Sequence, residues 1–122
     1  MEALVQQTLL GDAWEHATVA AAVFADDARY IACNQAFIRL TGYSREEILA
    51  MQVGVDLAPD PVTNRRLFDG IVTEGRTYGS GGLRRKGGTV ISVNFWAIEA
   101  RAANLPYFIT LYWKAETPPS FA

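Results

Sequence analysis

Apolar positions recur along this chain with two different periods, and the switches between them divide it into three stretches. In the first, Leu4, Val5, Thr8 and Leu9 fall at helical spacing, which predicts a short amphipathic helix over residues 2–10 that Gly11-Asp12 interrupts. The small and β-branched run from Thr18 to Ala25 predicts a strand that ends at the turn residues Asp26-Asp27. Arg29 to Cys33 supplies its hairpin partner.

The helical period returns next. Asn34 can cap a helix, because its side-chain oxygen accepts an orphan backbone N–H. Phe37, Ile38 and Leu40 give that helix a buried side, and Gly42 can stop it. Ser44 and Glu47 form a capping box ahead of Ile48 and Leu49. The segment MQVGVDLA is read as one irregular turn. Asp60-Pro61 then opens a longer helix, an acidic cap followed by proline at the first helical position. Val62, Leu67, Phe68, Ile71 and Val72 make its apolar face, and Gly75 ends it.

Beyond Gly75 the pattern alternates. Strands are predicted over 77–85, 89–97 and 107–114, with turns at Lys86-Gly87-Gly88 and Asn104-Leu105-Pro106. Pro118-Pro119 marks the tail, 116–122, as frayed. Two strands, several short helices and three strands make an α+β domain, an antiparallel sheet with helices on one face.

Composition narrows the functional classes. Half of the 122 residues are hydrophobic, a fifth are charged and the formal net charge is −2, so the chain has core-formers for one domain but no global positive field for nucleic acid. No stretch approaches the ~20 apolar residues of a membrane span, and the N-terminus lacks a signal-peptide pattern. A cytoplasmic location is expected. Cys33, the single cysteine, reads as a small packing residue that alternation turns away from the interior. Gly79-Ser80-Gly81-Gly82 lacks the Lys-Ser/Thr and helix of a phosphate loop, and reads as a loosened strand. Ser44 is a cap and His16 has no nucleophilic partner, so neither catalytic residues nor a metal cluster are expected.

The stretch NQAFIRLTGYSREEILA resembles the segment after the second strand of PAS domains, including their T-G-Y-S-x-E-E-I pattern. Asp60-Pro61, the Glu74-Gly75 helix end and the hairpin RRKGGTVISVNFWAI fall where that family places them. The resemblance covers residues 12–115, leaving 1–11 as a flanking helix and 116–122 as a flexible tail. It implies a five-stranded antiparallel sheet, short helices on one face and the N-terminal amphipathic helix on the other. It also implies sensing and relay rather than catalysis.

Alternation sorts the strand side chains onto two faces, and similarity to flavin-binding relatives turns Ile91, Val93, Phe95, Phe108, Thr110 and Tyr112 inward. Val23, Ala25, Tyr30, Phe37, Leu67 and Ile71 are expected to complete the interior, either as a cavity for a small apolar ligand or as a filled core. On the outward face, Trp96, Ile109, Leu111 and Trp113 need a cover. Leu4, Val5 and Leu9 of the flanking helix can supply it from the same chain or from a partner, which points to a homodimer. The domain can stand alone or serve a larger regulator with its own effector. The cofactor is left unknown. Flavin photochemistry is not expected, because AMQVGVDLAPD holds no cysteine, and Ile91 and Tyr112 stand where flavin-binding relatives use asparagine and glutamine. A haem sensor has only His16 as an axial candidate.

Overall fold

Glycine at position 11 does not break the first helix. The structure is a computed structural model that describes residues 2–53, 55–59 and 61–115, without the side chains of 61–65 and 67. The expected caps at Asp60, the apolar side chains of Val62 and Leu67, and the tail 116–122 lie outside the described residues. Helix α1 spans Glu2–His16 and runs straight through Gly11-Asp12. One glycine in a helix costs only about 1 kcal/mol against alanine, and Leu9, Leu10, Ala13 and Trp14 around it favour continuation. Residues 2–13 are all exposed, so Leu4, Val5 and Leu9 stand in solvent rather than over the outer face of the chain's own sheet. The helix is fastened at its C-terminal end, where Glu15 pairs with Arg45 and Arg45 also donates to the Cys33 carbonyl.

The remaining elements are β1 (Ala20–Ala25), β2 (Tyr30–Cys33), α2 (Gln35–Thr41), α3 (Arg45–Ile48), α4 (Pro61–Glu74), β3 (Arg76–Arg84), β4 (Val90–Ala102) and β5 (Leu105–Lys114). All strands join one antiparallel sheet in the order β2-β1-β5-β4-β3. The chain thus crosses from the β1–β2 edge over the helical layer to β3 and returns by two hairpins to the centre. This is the five-stranded α+β architecture expected from the sequence.

Local sequence explains the helix ends. Asn34 is fully buried, and its Oδ1 accepts from the amides of both Phe37 and Ala21, each at 3.0 Å, while Nδ2 donates to the Val19 carbonyl at 2.9 Å. One side chain therefore caps α2 and ties it to the start of β1. Gly42 stops α2 with φ 80°, a left-handed conformation that glycine adopts without a Cβ clash. The Ser44–Glu47 capping box is complete, and Gly75 ends α4 with φ 77°.

Two sequence expectations need correction. The segment after Leu49 does not form an isolated turn: Tyr30 donates to the Met51 carbonyl, Val53 to the Ala28 carbonyl, and Gln52 bridges to Arg29. These bonds lay the connection along the outer edge of β2. The last hairpin is also longer than expected. Its turn is Ala103-Asn104, with φ of 51° and 64°, so β4 continues to Ala102 and Pro106 lies inside β5. The positive φ pair matches the twist of a two-residue hairpin. Pro106 is tolerated because β1 stops at the Ala25–Tyr107 pair, which leaves no neighbouring strand beside the proline on that side.

Candidate functional site

Sheet register decides which side chains meet the helices. In the central pair, Ala20 faces Tyr112, Ala22 faces Thr110 and Phe24 faces Phe108, and all six are buried. On β4, Val93, Phe95 and Ala97 are buried while Ile91 is half-buried. The inward placement of Val93, Phe95, Phe108, Thr110 and Tyr112 therefore agrees with the alternation of the sequence. Val23 and Ala25 do not belong with them. They pair with Ile109 and Tyr107, are only half-buried, and lie on the opposite face from Phe24. The run AAAVFA is small and apolar on both faces, so its pattern alone could not set the register; pairing with β5 does. Cys33 is also corrected, since it is buried within the core cluster rather than turned away from it. Burial raises its thiol pKa, outweighing the nearby Arg45, which disfavours a reactive thiolate.

Aromatic rings fill most of the interior. Phe24 stacks on Phe108 at 5.4 Å, and it meets Phe68 at 5.6 Å and the edge of Tyr30 at 6.4 Å. Phe37 links Tyr30 at 5.8 Å to Tyr112 at 5.2 Å, and Tyr112 continues to Phe95 at 6.4 Å. Ile48 and Ile71 pack into the same core. Phe24, the ring at its centre, was absent from the residues the sequence assigned to the interior.

Between the sheet and the connection before α4 lies a cavity of ≈ 50 Å³, lined by Tyr30, Val53, Leu57, Ala58, Gly81, Gly82, Leu83, Val93, Phe95 and Tyr112. Gly81 leaves open space in its wall: a Cβ added there would meet nothing within 4 Å. The neighbouring glycine differs, because a Cβ on Gly82 would sit 2.7 Å from Cγ of Pro59. The glycine run noted in the sequence therefore serves two purposes, room for the cavity at Gly81 and close passage of the connection at Gly82.

Two phenols and a hydroxyl supply the polar character of this interior. Burial is the main cause that holds the Tyr30 phenol well above its ordinary range, with the neighbouring Tyr112 adding to the rise. Tyr112 is raised by burial too, while Tyr30 and Thr110 pull it partly back. Thr110 influences Tyr112 in this way, yet its buried Oγ1 finds no partner at full hydrogen-bonding geometry. Both phenols stay protonated in the fold at a pH where an unfolded tyrosine, with pKa near ~10, ionises. The unfolded state then binds fewer protons, so stability is intact below about pH 10 and falls as pH rises past it. Urea titrations between about pH 8 and pH 11 should show this loss, and Tyr30→Phe should flatten it.

The cavity as built does not fit flavin or haem. Its ≈ 50 Å³ is far below the ~300–1,000 Å³ of pockets for larger ligands. Ile91 and Tyr112 stand in the strands where a flavin would need polar amides, and His16 lies exposed at the end of α1, away from the lining. Among the described residues, no group of three or more His, Cys, Asp or Glu side chains is placed to hold a metal ion.

The outer face of the sheet carries a second concentration of apolar groups. Trp96 is 44% exposed and Ile98 41%, with Ile109, Leu111 and Trp113 half-buried beside them. Tyr78 of β3 adds its ring 6.3 Å from Trp113. The sequence identified the tryptophans, Ile109 and Leu111, while Tyr78 and Ile98 joined them only through strand register.

The family described as PAS domain matches residues 15–77. No curated protein matches the chain. Among solved structures, a PAS domain from a two-component sensor histidine kinase is similar at 17% identity and TM-score 0.79, covering 92% of this chain and 98% of that one. The PAS domain of an HTR-like protein from Haloarcula marismortui gives 17% identity and TM-score 0.80, with 93% and 94% covered. An RNA-binding light-oxygen-voltage receptor gives 22% identity and TM-score 0.81 over 94% of this chain but only 35% of the receptor. With five antiparallel strands in this order, helices over one face and a family match across the first half of the domain, the chain belongs to the PAS domain family.

Proposed function

We propose that this PAS domain is a non-catalytic sensory module that takes a small uncharged molecule into the Tyr30–Tyr112 cavity and relays its state through a homodimer. The observation that carries the reading is the cavity itself, with open space beside Gly81 and two phenols on its border inside an otherwise ring-filled core. Its lining has no ionisable group besides the phenols, which favours a neutral guest that donates or accepts hydrogen bonds. Its volume restricts that guest to a few heavy atoms unless the connection at Leu57-Ala58 moves outward.

The relay follows from the sheet. A guest against Phe95 and Tyr112 presses on strands whose opposite side carries Trp96, Leu111 and Trp113. Those groups, together with Leu4, Val5, Leu9 and Leu10 of α1, are apolar and incompletely covered. A second copy can bury both sets at once by placing its α1 on this face. The output then belongs to whatever regulator or partner is joined to the domain. No helix among the described residues is long and apolar enough to cross a membrane.

A second reading, a constitutive dimerisation scaffold with a filled core, is favoured by the extent to which the rings occupy the interior. Native mass spectrometry of protein purified from its own host separates the two. The sensor reading expects a dimer that carries a small molecule, which Gly81→Leu loses while remaining folded and dimeric. Gly82→Leu is the contrasting variant and should lose stability through its clash with Pro59. A dimer that is identical and ligand-free with either Gly81 or leucine there supports the scaffold. Trp96→Glu and Leu9→Glu should each shift the protein toward monomer, and a monomeric parent chain would sink the dimer in both readings.

A further inference from the structure

The geometry points to a second ligand site, outside the central cavity, that takes a small organic carboxylate with an apolar body. A groove of ≈ 430 Å³ runs between α2 and the end of the sheet, and Arg39, Arg85 and Lys114 all line it. No carboxylate is among its lining residues. None of the three makes an ion pair among the described residues, so they concentrate positive charge in a protein of formal net charge −2. Of the other described cations, Lys86 pairs with Glu47, Arg29 with Asp27 and Arg45 with Glu15, while Arg76, Arg84 and Arg101 lie apart on the sheet; only in this groove do three converge on one space.

Arg85 is the organised member of the set. Its Nε donates to the Leu40 carbonyl at 2.9 Å, which satisfies one of the last carbonyls of α2 and fixes the plane of the guanidinium. That bond explains Nε alone. The two terminal nitrogens remain available as a fork, the arrangement that binds a carboxylate through two parallel hydrogen bonds. Arg39 projects from α2 and Lys114 from the end of β5; both are exposed, and neither makes an ion pair among the described residues. Val19 and Leu40 line the same groove, so a hydrocarbon or aromatic body has apolar surface to lie on. The groove's volume is that of a small-molecule pocket.

Position gives this site its consequence. Val19 lies just beyond the end of α1, and Lys114 is the last residue of β5, so a bound carboxylate would tie both ends of the domain to α2. The site would then act on the segments that join the domain to its surroundings, independently of any guest at Tyr30 and Tyr112.

The test is titration of the ¹⁵N-labelled full chain with sodium benzoate, followed by amide shifts and the Arg85 side-chain Nε–H. Benzyl alcohol and inorganic phosphate serve as the neutral and purely anionic controls. The expected result is saturable shifts clustered at Val19, Leu40, Arg85 and Lys114 with benzoate, weakened by salt and much smaller with either control. Because Arg85→Gln also removes the bond to Leu40, the deciding variant is Arg39→Gln combined with Lys114→Gln. It should bind benzoate about tenfold more weakly at unchanged thermal stability. No saturable response to benzoate, an equal response to benzyl alcohol or phosphate, or unchanged affinity in the double variant would each overturn the assignment.

Discussion

Phe24→Ala is expected to remove about 3–5 kcal/mol of folding stability, while Val23→Ala, one residue earlier on the same strand, should cost less than about 1.5 kcal/mol. Phe24 is fully buried and touches rings from three directions, Phe108 on the sheet, Phe68 on α4 and Tyr30 on β2. Truncation leaves a void bounded by rigid rings that are anchored on different elements and cannot all close over it. Val23 is half-buried on the other face beside Ile109, so its loss opens no enclosed space. Since domains of this size are stable by only about 5–15 kcal/mol, the difference should be plain in urea midpoints. Equal costs at the two positions would mean that β1 is inverted.

Asn34→Ala should be of comparable severity, about 3 kcal/mol or more, although it removes no large apolar group. An ordinary exposed cap is worth about 1 kcal/mol. Here the same change strands the Phe37 and Ala21 amides, whose bonds to the carboxamide are buried, and the part-buried Val19 carbonyl. An unsatisfied buried group costs about 1–3 kcal/mol, and water admitted to the space would lower the sum. Asn34→Ser can restore the cap to α2 but cannot also reach Val19 and Ala21, so it should recover only part of the loss. Full recovery by serine would reduce Asn34 to a simple helix cap.

These two residues show how the fold was and was not legible. Asn34 was readable as a cap because capping is local: the side chain bonds an amide three residues on, and sequence spacing fixes that distance. Its bonds to Val19 and Ala21 were not readable, since they depend on where β1 passes. Val23 and Ala25 were placed inward in place of Phe24 because the apolar run of β1 has no polar alternation to mark a face. The candidate cavity divides in the same way. Tyr30 and Tyr112 were recognised as inward polar groups, but Gly81 looked like one of several loosened strand glycines until its open space was seen against Pro59 crowding Gly82. The cationic groove could not be anticipated at all, because Arg39, Arg85 and Lys114 are distant in sequence and belong to three separate segments.

By itself, the sequence determined the element order, the helix stops at Gly42 and Gly75, the capping box at Ser44 and the PAS resemblance. Each is set by interactions within a few residues, or by a pattern of such interactions. Only the tertiary structure decided the face of β1, the exposure of α1, the length of the last hairpin and the room left inside. Those depend on strand register and on close packing between residues far apart in the chain, where one residue of slip exchanges the two faces of a strand and the fit of facing side chains sets the space between them.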